Sequence, residues 1–128
     1  EQVGLLEEKF FMYFEDLEFS RRVNQLYRLV YTPQSVVYHK SGAGRGWSSY
    51  SEAYLYNHTR NRFLAFSKES PIFQVYVMLF SSANVIAKSV VIAAGLATNV
   101  ERASGQLKAL WRGLCDGFVS SGLFRGKA

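Results

Sequence analysis

The sequence predicts an α+β fold dominated by helix, and three observations support this class. Four segments carry helix-start signals or helical apolar spacing, and two short β-rich segments lie side by side between them. Apolar residues make up 48% and aromatic residues 16% of the 128 positions, which is enough for a packed core. The length suits one domain. The chain starts with Glu1, without Met, so we expect it to be the C-terminal part of a longer polypeptide.

The first predicted helix covers residues 15–26. Its first turn contains Glu15, Asp16 and Glu18, and acids at this end interact favourably with the helix dipole. The apolar face is predicted to contain Leu17, Phe19, Val23 and Leu26.

Two short strands are predicted next, at residues 27–32 and 35–39, with Pro33 between them. An isolated hairpin is marginally stable, so we expect these strands to extend a larger sheet outside this chain. A glycine-rich loop at 42–46 and Trp47 follow. The loop lacks the Lys-Ser/Thr ending of a phosphate-binding P-loop.

Three further helices are predicted at residues 49–68, 72–96 and 99–122. Capping boxes at Ser49-x-x-Glu52 and Thr98-x-x-Glu101 begin the first and third, and Pro71 suits the start of the second. The segment 72–96 approaches the length of a membrane span, but Lys88 interrupts it, which favours a buried or interfacial helix. The segment 99–122 is basic and amphipathic, so it either lies in a membrane interface or packs on the preceding helix.

The net charge of +5 is concentrated near the end of the chain. Residues 99–128 hold five Lys/Arg against two Asp/Glu and so contribute +3. No nucleic-acid-binding motif accompanies this excess, which leaves solvated surface charge or an anionic membrane surface as the readings. Cys115 is the only cysteine, which excludes an intramolecular disulfide and favours a reducing compartment.

Few side chains could carry chemistry. Glu15 and Asp16 are candidates for a general base, although acids at helix starts are common. His39 closes a predicted strand and is either a metal ligand or a structural histidine. Arg60 and Asn61 are adjacent in a helix, so their side chains diverge by about 100° and one can face a site while the other packs.

The order of several short motifs resembles the C-terminal part of family 2 glycosyltransferases, most closely the bacterial rhamnosyltransferase type. The motifs are the aromatic run at 10–14, the acids at 15–18, the Tyr-Arg-x-x-Tyr-x-Pro segment at 27–33, the Val-x-His end at 37–39, and Arg60-Asn61. The resemblance covers about residues 1–68.

This resemblance implies a GT-A fold, with residues 1–70 as the end of the catalytic domain and 71–128 as a helical extension, for which membrane association is one interpretation. It implies inverting transfer from a nucleotide-sugar with the help of Mn²⁺ or Mg²⁺. Asp16 would be the general base, Glu15 its motif partner and His39 a metal ligand. Trp47, Arg60 and Asn61 would bind substrate.

Two features depart from the family pattern. Glu18 replaces its third acid, Asp, and the chain contains no Asp-x-Asp motif for the cation. We therefore expect the fragment to be inactive by itself and to bind no cation.

The expected partners are a nucleotide-sugar donor, a saccharide or lipid-linked acceptor, a possible membrane surface and further copies of the chain, but not nucleic acid. The expected setting is polysaccharide or glycolipid synthesis at the cytoplasmic face of the inner membrane. The alternative is a non-catalytic helical module that docks on a membrane or a partner.

Overall fold

The computed structural model describes residues 2–38, 50–95 and 99–122, and the regular structure in these ranges is entirely helical. The helices are α1 (Glu15–Leu26), α2 (Glu52–Ala65), α3 (Pro71–Ala94) and α4 (Val100–Ser120). Helices α2, α3 and α4 pack against one another, with α2 against α4 as the most extensive contact. Among the described helices, α1 contacts α2 alone. The architecture is therefore a three-helix bundle with α1 attached to its side.

The predicted helices are found in place, and local capping explains where they begin. Ser51 adopts extended backbone and its hydroxyl accepts a hydrogen bond from the Tyr54 N–H, which starts α2. Ser70 caps α3, with Pro71 in the first turn as predicted. Asn99 caps α4 by accepting from the Arg102 N–H. The predicted caps Ser49 and Thr98 lie outside the described residues.

The predicted α+β class is wrong, because no strand forms in the described residues. Residues 27–38 run without regular structure, and nearly all of their side chains are exposed, up to 96% for Tyr38. A strand needs a neighbouring strand to pair its backbone groups, and the bundle offers only helices. The described part of the chain is therefore all-helical.

Helix α2 is buried on two opposite sides. Its buried residues alternate along the sequence: Leu55, Asn57, Thr59, Asn61, Phe63 and Ala65. Because two residues turn a helix by about 200°, alternation places the residues on opposite faces. One face meets α4, where Gly117 abuts the Phe63 ring, and the other meets the turn before α1.

Helix α4 buries most of the apolar face that its spacing predicts and approaches α2 closely, although Val100 at the start of that face is exposed. Ala103, Leu110 and Leu114 are buried in the core. At Gly113 an added Cβ would lie 2.6 Å from the carbonyl oxygen of Tyr56, so only glycine fits without a shift. The sequence left two interpretations open for residues 99–122, a membrane interface or packing on the preceding helix. In the structure this apolar face packs within the bundle.

Helix α3 is largely apolar on both its inner and its outer side. Val77, Val85 and Ile92 are buried against the bundle together with Ser81 and Lys88. Every exposed side chain of α3 is apolar apart from the Tyr76 hydroxyl. By length and composition α3 could cross a membrane, and only about a quarter of its most apolar stretch is buried in the described molecule.

Candidate functional site

A strained turn leads into α1 and presents the predicted catalytic acids. Tyr13 and Phe14 have φ angles of 69° and 70°, in the left-handed region. Each such residue other than glycine costs about 1–3 kcal/mol, so the surrounding structure must hold the turn. Strain of this kind is concentrated at functional sites in proteins.

Asn61 holds this turn from the neighbouring helix. Its side chain is completely buried, and Nδ2 donates to the carbonyl oxygens of Met12 at 2.7 Å and Tyr13 at 3.1 Å. A hydrogen bond to each carbonyl fixes the backbone where it enters the left-handed conformation. Asn61 thus joins two predicted motifs that lie more than forty residues apart in sequence.

The two acids that follow the turn have different environments. Asp16 is exposed, and its Oδ1 accepts the Leu17 N–H at 2.7 Å. Glu15 is half-buried, and its Oε2 is buried with no hydrogen-bond partner among the described residues. Asp16 is therefore the carboxylate that a solute can reach.

Glu18, the acid that departs from the family pattern, is occupied by an ion pair. Arg22 Nε donates to both Glu18 carboxylate oxygens, at 2.8 and 3.0 Å. The Arg22 guanidinium also donates to the carbonyls of Val3 and Leu5, which ties the N-terminal segment to α1. Glu18 therefore has a structural role in the described molecule.

Arg60 points away from the acids, as the divergence of adjacent helical side chains predicts. Its guanidinium donates to the Lys9 carbonyl at 3.0 Å and lies 5.9 Å from the Tyr56 ring centroid. It also lines a cleft of about 410 Å³ with Glu7, Phe10 and Glu18, whereas Glu15 and Asp16 are not among the residues around this cleft. The structure brings Asn61, and not Arg60, to the predicted acids.

His58 belongs to the same cluster, and the sequence analysis missed it. Its ring stacks on Tyr54 at 5.0 Å and lies 5.2 Å from the Phe14 ring. Burial lowers the pKa of His58 to about 4, with the nearby cations of Arg62 and Lys88 adding to the effect, so the imidazole is neutral at pH 7. His58 lies three residues before Asn61, and this spacing on one helix face was the available signal.

The described residues do not form a cation site by themselves. No three His, Cys, Asp or Glu side chains come together there as metal ligands would. Predicted ligand His39 and predicted substrate residue Trp47 lie outside the described residues. The roles assigned to Glu15, Asp16, His39, Trp47, Arg60 and Asn61 stay predictions.

No protein family, curated protein or solved structure matches this chain. The site is therefore judged on its own geometry. It is an exposed carboxylate at the start of a helix, set on a strained turn that a buried amide holds in place.

Proposed function

We propose that this chain is part of a nucleotide-sugar-dependent glycosyltransferase and carries the carboxylates that activate the acceptor. The reaction is transfer of a sugar, with inversion, to a hydroxyl of a saccharide or lipid-linked acceptor. The single observation that carries the proposal is the pair of hydrogen bonds from Asn61 to the turn before Glu15 and Asp16. Two of the motifs that carry the resemblance, the segment at 10–16 and Arg60-Asn61, are thereby joined by hydrogen bonds.

Asp16 is assigned the role of general base. Its carboxylate is exposed in the first turn of α1, where a solute hydroxyl can approach. A base must lie within hydrogen-bond reach of the proton it removes, so the position of its backbone matters as much as its chemistry. Asn61 supplies this positioning through the turn, and the half-buried Glu15 lies beside the base.

The test compares Asp16→Asn with Glu101→Gln in the intact enzyme. Both changes neutralise an acid in the first turn of a helix, but Glu101 lies on α4. Turnover is measured as release of nucleoside diphosphate from a panel of nucleotide-sugars with acceptor present. Asp16→Asn should lower kcat by about 10²–10⁴-fold and leave donor binding nearly intact, because general-base catalysis contributes about that much. Glu101→Gln should retain full activity.

A second pair of variants tests the positioning role of Asn61. Asn61→Asp keeps the shape of the side chain but removes the Nδ2 donor, and Asn57→Asp does the same one helical turn earlier, where Nδ2 bonds to Ala53 in its own helix. We expect Asn61→Asp to lower kcat with little change in donor KM, and Asn57→Asp to affect stability alone. Wild-type turnover in Asp16→Asn, or no nucleotide release from any donor, would overturn the proposal.

A further inference from the structure

The outward surface of α3 is apolar along its whole length, and nothing in the described residues covers it. Six large apolar side chains lie on this surface, each between 42% and 85% exposed: Ile72, Val75, Leu79, Phe80, Ile86 and Val90. They recur at helical spacing, so they form one continuous stripe about 27 Å long. We call these six residues the α3 stripe.

Several polar side chains of α3 are directed toward the bundle, whereas Ser82 and Asn84 are partly exposed. Lys88 is 8% exposed, with Nζ 5.9 Å from the Tyr54 ring centroid. Gln74 donates to the carbonyls of Ser67 and Glu69, and the Ser89 hydroxyl accepts from Trp111 Nε1 at 3.1 Å. The charge that interrupts the apolar segment in sequence is therefore absent from its outer surface.

We propose that the α3 stripe binds a lipid bilayer. Protein interfaces carry a polar rim and are roughly 55–65% apolar, whereas the exposed residues of α3 have the Tyr76 hydroxyl as their single polar side-chain group, with Ser82 and Asn84 partly exposed. A surface with so few polar groups and no charge matches acyl chains better than it matches another folded protein. Trp111, bonded to Ser89 and 45% exposed, lies at the edge of α3, where an indole suits the headgroup level.

The geometry assigns α3 to the plane of the membrane. Helix α4 packs on α3 and carries exposed charges, among them Arg102, Lys108 and Arg112. A membrane-spanning α3 would draw these side chains into hydrocarbon, which is unfavourable for each of them. With α3 lying flat, its stripe enters the acyl chains, and the charged side chains of α4 stay in water. This inference does not depend on the transferase proposal.

The first experiment is flotation of the 128-residue chain with phosphatidylcholine vesicles that contain phosphatidylglycerol. Leu79→Glu/Ile86→Glu places two charges in the stripe, and Val100→Glu/Val119→Glu places the same two charges on exposed apolar positions of α4. We expect the stripe variant to bind at least about a hundredfold more weakly, since each side chain kept out of the bilayer forfeits roughly a tenfold gain. The α4 variant should bind within a few fold of wild type, and circular dichroism checks that all three proteins fold.

The second experiment tests orientation with a membrane-impermeant maleimide. Cys115 is the only cysteine and is exposed on α4, so vesicles should leave its reaction rate unchanged. In a Cys115→Ser background, Leu79→Cys should react several-fold more slowly once vesicles are added. Protection of both positions would overturn the in-plane orientation.

Two outcomes would overturn lipid binding itself. One is a wild-type chain that remains unbound to the vesicles. The other is equal loss of binding in the two glutamate variants, which would assign binding to charge alone. Light scattering covers the remaining case, in which the wild-type chain does not bind vesicles. If the wild-type chain is then an oligomer and Leu79→Glu/Ile86→Glu converts it to a monomer, a second copy of the chain would be the occupant of the stripe instead.

Discussion

Helices α3 and α4 follow each other in sequence and pack together, yet their outer faces differ in polarity. In α4 the apolar residues Leu110 and Leu114 face the core, and Lys108 and Arg112 face outward. In α3 the exposed side chains are apolar, and the buried set combines three aliphatic residues with two polar ones: Val77, Val85 and Ile92 with Ser81 and Lys88. A charged outer face is typical of a bundle in water, whereas a long exposed apolar face indicates a non-aqueous neighbour. The outer face, more than the buried one, separates the two helices.

The difference between α3 and α4 is tested most strongly by removing the same atoms from both helices. Leu110→Ala empties a fully buried position in α4 and should lower the free energy of unfolding by about 2–5 kcal/mol. Leu79→Ala, at 61% exposure on α3, should lower it by less than about 0.5 kcal/mol. Urea unfolding followed by circular dichroism measures both values. Equal losses would mean that Leu79 is buried in solution and that the stripe is already covered.

A second test addresses how closely α4 packs on α2. Gly113→Ala places a Cβ 2.6 Å from the Tyr56 carbonyl, a backbone group with little freedom to move, and should cost about 1–3 kcal/mol of unfolding free energy.

Gly105→Ala is the matched control on the same helix. Its Cβ would meet the carboxylate of Glu52, which is the far end of a flexible side chain and can turn aside. Because alanine is the better helix former, this change should be neutral or stabilising by up to about 1 kcal/mol. Thermal unfolding of the two variants would contradict the close approach if Gly113→Ala proved as harmless as Gly105→Ala.

A smaller effect should come from pH, through the burial of His58 and the cations that face it. The pKa of His58 is about 4 in the folded chain against 6.5 as its ordinary value, so between these pH values the unfolded chain binds the extra proton. Stability from the neutral ring is therefore complete above pH 6.5 and is lost as pH falls toward 4. The expected loss is about 1–2 kcal/mol, once reduced for the partial exposure of the ring.

His58→Phe isolates this contribution, because it keeps a ring on Tyr54 and removes the titrating group. The difference in unfolding free energy between wild type and variant should widen in favour of the variant as pH falls through this window. A difference that stays constant with pH would show that the ring is not held neutral by burial, Arg62 and Lys88.

The helices could be predicted from sequence because their signals are local. Pro71, the acids at 15–18 and the spacing of Leu110 and Leu114 each act within a few residues. The strands were wrongly predicted because Tyr- and Val-rich segments favour a sheet only when other strands pair with them. The segment 27–38 has no such neighbour in the described chain.

The site was predictable in part. The acids and Asn61 were singled out, but their contact depends on a turn whose left-handed backbone at Tyr13 and Phe14 has no glycine to indicate it. His58 was not predicted as part of the site, because the neutral state of its imidazole depends on burial and on cations from two helices. The direction of the Lys88 side chain, toward the bundle, could not be predicted either. A helix that is apolar on most sides has no sequence pattern that identifies its inner face.

The turn at Tyr13 and Phe14 also limits which mutations the chain can accept. Glycine would relieve the left-handed backbone at either position but would delete a ring that contacts His58, at 6.0 Å for Tyr13 and 5.2 Å for Phe14. Another large residue would keep the contact and retain the strain. Although both side chains are only half-buried, a library of single variants selected for folding should tolerate fewer replacements here than their exposure alone suggests. The turn is therefore expected to tolerate few substitutions, as positions in the core do.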